Sequence, residues 1–238
     1  MLNIIEQAHV EWQEILERAL STMNPIYLNE LLSTVSWLPG MDSLLAAFSL
    51  PLSSSKYILF GESPYPREAS ANGYAFWDKS VGSLWSDTGL SKEVNRATSL
   101  RNLIKMLLAS RGDLGLDVSQ EAIANLDKSS YVQTAEQLFN SFLRKGVLLL
   151  NASLVYSPNK VLYHARQWRP FIHCLLCELA QKKSTIELIL LGKIAMQIPK
   201  TNLISALVAE HPYNISFITN PLVRDFFNPM DLLSYYDH

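Results

Sequence analysis

Apolar residues along this chain follow two periods. Four short runs are apolar at nearly every position: Tyr57-Ile58-Leu59-Phe60, Val147-Leu148-Leu149-Leu150, residues 186–191 and residues 205–209. Runs of four to six apolar residues bounded by turn signals predict strands buried on both faces, as parallel sheets require. Elsewhere the repeat is helical. Trp12, Ile15, Leu16, Ala19 and Leu20 recur at three- and four-residue steps, with Glu11, Gln13, Glu14 and Arg18 between them. That spacing predicts an amphipathic opening helix. Further helices are predicted over 26–35, 41–48, 98–108, 135–145 and 169–183, with a helical tail over 223–236. Residues 73–77 read as loop or edge strand, 78–97 as a long surface loop, and 110–131 as an unpatterned insertion. Helices alternating with buried strands predict one three-layer α/β/α domain over residues 1–238, built on a four-stranded, mostly parallel sheet.

Each apolar run stops at a polar cluster. The first meets Gly61-Glu62-Ser63-Pro64-Tyr65-Pro66, the second Asn151, the third Gly192-Lys193, and the fourth Glu210-His211-Pro212. Ligands of open parallel sheets bind at the carboxyl ends of the strands. Glu62, Ser63, Tyr65, Asn151, Lys193, Glu210 and His211 are therefore expected around one pocket, with Phe76 following the first turn.

Composition narrows this picture only modestly. The chain has 238 residues, 48% hydrophobic and 18% charged, which suits one sizeable domain. No stretch approaches the roughly 18 apolar residues of a membrane span. The opening residues lack a basic region and a small-residue cleavage site, so secretion is not expected. Cys174 and Cys177 form a C-x-x-C inside a predicted helix, without the second ligand pair that zinc requires. Core packing in the reduced state follows, and with it a cytosolic compartment. A net charge of −2 and a pI near 6.2 give no global basic signature for nucleic acid, although a local basic groove is compatible with both.

The polar set has its own chemistry. Asn carries one acceptor and two donors, enough to read the edge of a pyrimidine. Phe and Tyr offer flat faces for a planar ring. His hydrogen-bonds a developing anion and Glu holds a water. No Gly-rich phosphate loop is present. Together these residues suit a flat, amide-bearing heterocycle better than a phosphate or a sugar. Taken singly they have plainer readings: Asn151 as a helix cap, His211 as a buried structural imidazole, Phe76 as core, Glu62 as a solvated turn residue. Ser63 as a hydrolase nucleophile fails, because G-x-S-x-G needs Gly where Tyr65 stands.

In order along the chain, these motifs resemble the family 1 uracil-DNA glycosylases. The family's GQDPYH loop is similar to Gly61-Glu62-Ser63-Pro64-Tyr65-Pro66, and its A-H-G-L-x-F to Ala71-Asn72-Gly73-Tyr74-Ala75-Phe76. Its G-V-L-L-L-N is matched at all six positions by Gly146-Val147-Leu148-Leu149-Leu150-Asn151. S-H-A-x-x-G-W resembles Tyr163-His164-Ala165-Arg166-Gln167-Trp168. L-L-W-G resembles Leu190-Leu191-Gly192, and H-P-S-P-L-S resembles His211-Pro212-Tyr213-Asn214-Ile215-Ser216.

The resemblance implies a metal-independent, cofactor-free enzyme, cytoplasmic and monomeric. It would flip uracil out of single- or double-stranded DNA and hydrolyse its N-glycosidic bond. By position, Phe76 would stack on the extruded base, Asn151 would read its polar edge, and Tyr65 would crowd C5 and reject thymine. His211 would hydrogen-bond uracil O2. Ser99, His164 and Ser216 would hold phosphates, and Ile215 would fill the vacated stack.

Departures fall before Ser99, where Ala97-Thr98 replaces paired Pro, in the 211–216 loop, where Tyr213 replaces Ser and Asn214 replaces Pro, and in the first loop. The family's water-activating Asp is Ser63, its Gln is Glu62, and its closing His is Pro66, the last also resembling poxviral members. G-E-x-P resembles the thermophilic family 4 enzymes, which carry an iron–sulfur cluster on four Cys where this chain has two. Glu62 would then stand in for the missing Asp. General-base assistance is worth about 10²–10⁴-fold, so its loss slows a glycosylase without abolishing the electrostatic share of the rate. The alternatives are a catalytically inactive relative that binds DNA or a protein partner, and a glycosylase of altered base preference.

Overall fold

The computed structural model describes residues 2–34, 36–115, 117–182 and 185–235. In chain order its elements begin with α1 (Leu2–Ile5), α2 (Gln13–Ser21), α3 (Pro25–Ser33), β1 (Tyr57–Gly61), β2 (Trp85–Ser86), β3 (Gly89–Leu90), α4 (Lys92–Arg96) and α5 (Thr98–Arg111). They continue with α6 (Gln120–Ala124), α7 (Ala135–Arg144), β4 (Val147–Asn151), α8 (Val161–Gln181), β5 (Glu187–Leu191), α9 (Ile194–Gln197), β6 (Ser205–Ala209) and α10 (Pro221–Phe227).

The four predicted strands are the strands of one parallel sheet, ordered β4-β1-β5-β6, flanked by helices. Tyr57 to Gly61 lie opposite Val147 to Asn151, and Tyr57 to Phe60 opposite Glu187 to Leu190. β6 joins through Leu188 N–H to the Ile204 carbonyl (2.9 Å) and Gly192 N–H to the Ala209 carbonyl (2.8 Å). All five residues of β4 are buried, whereas β6 at the edge buries only Leu207. This explains why the inner strands read as unbroken apolar runs and β6 does so less clearly.

The chain divides into two compact units. The first comprises Met1–Asp78, Gly146–Leu190 and Ile194–Ala206. Its core sets Ile15, Leu16, Ala19 and Leu20 of α2 among Trp168, Phe171, Leu175 and Leu179 of α8, all buried. Trp12 packs edge-on against Phe48 at 5.3 Å between ring centroids and donates its indole N–H to the Leu50 carbonyl at 2.7 Å.

Two helical segments differ from expectation. The helix predicted over 169–183 begins earlier, at Val161, and contains Pro170; Lys183 lies outside the described residues. Proline normally breaks a helix by depriving the carbonyl four residues back of its partner. That carbonyl belongs to Arg166, which is exposed, so water can replace the lost bond. Residues 41–48 form two short 3₁₀ turns, Met41–Ser43 and Ala46–Ser49, because so short a segment gains too few i→i−4 bonds to sustain an α-helix. Cys174 and Cys177 are free thiols on α8.

The second unit comprises Lys79–Lys145, Leu191–Lys193 and Leu207–His238. The expected surface loop over 78–97 is instead ordered by the β2–β3 hairpin and α4, with Val81, Leu84, Trp85, Leu90 and Val94 buried. Those apolar residues follow neither a two-residue nor a 3.6-residue period, so periodicity gave no warning. The 110–131 insertion holds α6, whose Gln120 accepts the Leu90 N–H at 2.7 Å. Thr134 and Gln137 form a reciprocal capping box that starts α7. The tail is helical only over α10 and the 3₁₀ turn Asn228–Met230, ending where Asp231 turns left-handed at φ 46°; Tyr236 lies outside the described residues.

Candidate active site

In the first unit, the site begins with Gly61, the last residue of β1, directly opposite Asn151. A Cβ on Gly61 would lie 2.5 Å from Asn151 Oδ1 and 2.8 Å from Ala75 Cβ. Only glycine therefore lets the Asn151 amide and the segment carrying Phe76 close over the strand end. Ala152 N–H donates to the Gly61 carbonyl at 2.9 Å and Ser153 N–H to the Glu62 carbonyl at 3.0 Å, pinning the loop to the end of β4. Asn151 is 2% exposed, yet its Nδ2 has no hydrogen-bond partner among the described residues. Leaving such a donor unpaired costs about 1–3 kcal/mol, and a group kept at that cost marks a place for a ligand acceptor.

Tyr65 and Phe76 are coupled. The Tyr65 hydroxyl donates to the Phe76 carbonyl at 3.2 Å, and Phe76 itself sits at φ +63°, a conformation side chains rarely adopt. Ala75 N–H donates to the Leu149 carbonyl at 3.1 Å, which ties this segment to β4. The Tyr65 phenol is pushed up to about 12, first by burial and then by the Asp78 carboxylate, with Arg67 opposing. It thus stays a neutral donor across physiological pH. Asp78, itself buried, pairs with Arg67 at 3.1 Å.

The remaining residues of the first unit diverge. Ser63 is half-buried. Glu62 is exposed, and it lines a cavity against α8. His164 is 5% exposed, with Nδ1 at 2.8 Å from the Tyr27 hydroxyl. Burial, followed by Lys160, holds its pKa below the ordinary imidazole value. The ring's other nitrogen, Nε2, is buried and has no hydrogen-bond partner among the described residues.

In the second unit, His211 follows β6 and takes the Tyr213 N–H on Nδ1 at 3.0 Å. A nitrogen that accepts cannot carry the proton, so the ring is neutral and protonated on Nε2. Gly192, at φ +74°, makes room for it: a Cβ there would meet His211 Cβ at 2.7 Å. The loop beyond ends in two exposed apolar side chains, Tyr213 (68%) and Ile215 (74%). Ser216 is exposed and hydrogen-bonds Glu210. Burial opposes ionisation of Glu210, but its own backbone amide, Asn220 and Ser216 outweigh it and hold the carboxyl below its usual range. Ser99 lies in the first turn of α5, where Ala97 supplies no side-chain cap; first-turn amides of that kind suit an anion.

Asn102 carried no signal strong enough to single it out in the sequence. It is 1% exposed and donates Nδ2 to the Pro212 carbonyl at 2.7 Å and the Tyr213 carbonyl at 3.3 Å, anchoring the 211–216 loop to α5. The one available clue is a polar residue in register with the buried Met106 and Ala109. Asn102→Ala strands those carbonyls and is expected to cost about 1–3 kcal/mol, read as a lower denaturant midpoint at unchanged m-value. An unchanged midpoint would remove Asn102 from the anchor.

Among the described residues no group of three or more His, Cys, Asp or Glu is placed to hold a metal ion, and no helix is long and apolar enough to cross a membrane. No family model matches the sequence. Among curated proteins, the uracil-DNA glycosylase of Helicobacter pylori (strain Shi470) is 30% identical over 210 residues, 84% of this chain and 76% of its own. That of Fusobacterium nucleatum is 28% identical over 215 residues, covering 87% and 82%. Among solved structures, wild-type UNG from Nitratifractor salsuginis matches with a TM-score of 0.91 and 45% identity over 98% of this chain and 95% of its own. Mimivirus uracil-DNA glycosylase shares the fold, with a TM-score of 0.57 at 17% identity over 88% and 71%.

Proposed function

The chain belongs to the uracil-DNA glycosylase family, and we propose that it excises uracil from DNA by hydrolysing the bond between the base and its deoxyribose. The observation that carries this reading is the buried Asn151 amide over Gly61, with Nδ2 unpaired. Uracil presents an O4 acceptor beside an N3–H donor, the complement of a side-chain amide. Cytosine presents an amino donor beside a bare N3, so it mispairs with the same amide. Phe76, held by the Tyr65 hydroxyl, stacks on the extruded ring, and the Tyr65 ring excludes a C5 methyl. The electron pair of the breaking bond moves onto the base. His211 stabilises the charge gathering at O2 through Nε2–H, donating without needing to be cationic. Ser99 and Ser216 take backbone phosphates and Ile215 enters the vacated stack.

Water activation is where this chain departs. Ser63 has no basic group to offer, and we assign the water to Glu62, the one carboxylate of the 61–66 loop. The six-residue identity through Asn151 supports a place in family 1, and the protein works as a cytosolic monomer on single- or double-stranded DNA. The inactive-relative reading is not favoured, given 45% identity to a UNG over nearly the whole chain.

The test is uracil release from a single-stranded uracil oligonucleotide at enzyme excess. Wild type is expected to release base slowly, Ser63→Asp to raise the single-turnover rate on the order of 10²-fold, and Glu62→Gln to lower it. No release by wild type or by Ser63→Asp would overturn the reading.

A further inference from the structure

A second feature of the first unit borders the proposed chemistry only at Glu62. A cavity of about 300 Å³ opens beside Glu62 and Ala152, the residues just beyond Gly61 and Asn151. One wall is a single stripe of α8: Leu162, Ala165, Arg166, Arg169 and Ile172, spaced to share one helix face. Residues 196–199 make the other wall, with Met196 at the mouth.

Three observations make this more than a surface dent. Arg166 and Arg169 form neither a salt bridge nor a hydrogen bond among the described residues, so two guanidinium groups stand free at one opening. Leu162 (75% exposed) and Met196 (81%) hold apolar surface in water at the same opening. The volume lies at the lower end for small-ligand pockets, which is nucleotide scale. Guanidinium groups pair with phosphate and stack on bases, and a flexible thioether fits a flat ring of any identity.

From this juxtaposition we propose an accessory subsite for one unstacked nucleotide of the DNA strand, lying next to the nucleotide that bears the target uracil. Its phosphate pairs with Arg166 and Arg169, and its base lies between Leu162 and Met196. The proposal rests on the glycosylase reading, since it takes the strand to run past Asn151 and Glu62. A paired base cannot enter, so the subsite favours single-stranded substrate. No covalent step is involved.

The test uses the full-length protein and uracil-free oligonucleotides, so it does not depend on catalysis. By fluorescence anisotropy, Arg166→Gln/Arg169→Gln is expected to weaken single-strand binding at least tenfold at 0.15 M salt. The same variant is expected to reduce the salt slope by about 0.7, the value for the one phosphate no longer neutralised. Ala165→Phe fills the cavity without altering charge. It is expected to weaken binding about tenfold for a base-bearing strand while sparing an abasic strand of equal length and a duplex. Should that variant not fold, Met196→Ser at the exposed mouth, which also leaves charge unaltered, serves the same comparison. Unchanged affinity in the double arginine variant would overturn the subsite. Equal losses on base-bearing and abasic strands in the cavity variants would overturn it too, leaving a plain phosphate patch. Failure of uracil release with these binding results intact would count against the glycosylase reading and leave the nucleotide site standing.

Discussion

Asn151→Ala is expected to lower kcat/KM for uracil release on the order of 10³-fold while leaving thermal stability unchanged or slightly raised. The two halves of that result have different causes. The amide is the group assigned to O4 and N3–H of the pyrimidine, and removing a group that a site is built to pair costs about 10²–10³-fold or more in rate. An ordinary buried Asn would also support the fold, so its loss would lower Tm. Here Nδ2 has no partner among the described residues, and truncation removes an uncompensated desolvation penalty of about 1–3 kcal/mol against the small void it leaves. Single-turnover excision assays and a thermal melt on the same preparation decide the matter. A clear drop in Tm with activity retained would reassign Asn151 to the core.

His211→Ala is expected to reduce kcat by about 10²–10³-fold with KM little changed, because the charge it meets on O2 exists only in the transition state. Its neutral tautomer is set locally: Nδ1 is occupied by the Tyr213 N–H at 3.0 Å, so the proton resides on Nε2. His211→Gln retains a donor and is expected to recover part of the loss. Gly192→Ala should reproduce part of the defect without touching the imidazole, since the added Cβ meets His211 Cβ at 2.7 Å and the φ of +74° is strained for alanine. Parallel loss of kcat and gain in KM in His211→Ala would indicate a binding role in its place.

Much of this protein was legible without coordinates. The four apolar runs became the four strands within a residue of their expected ends. Periods misled where they are weakest. Pro170 hid the first half of α8, and the aperiodic apolar residues of 78–97 hid a packed hairpin and helix. Asn102 escapes a sequence reading for a different reason: it looks like an unremarkable helical residue and is a loop anchor.

The sequence by itself determined the α/β class, the strand-end positions of Gly61, Asn151, Gly192 and His211, and the loss of the acidic residue at Ser63. Those follow from alternation, period and residue type within a few positions of one another. Tertiary structure alone decided which polar groups are paired. The unpaired Nδ2 of Asn151, the tautomer of His211, the burial of His164 and the two free guanidinium groups beside Glu62 are all of this kind. Burial and hydrogen bonding depend on segments far apart in the chain meeting at ångström distances, and no local pattern records that.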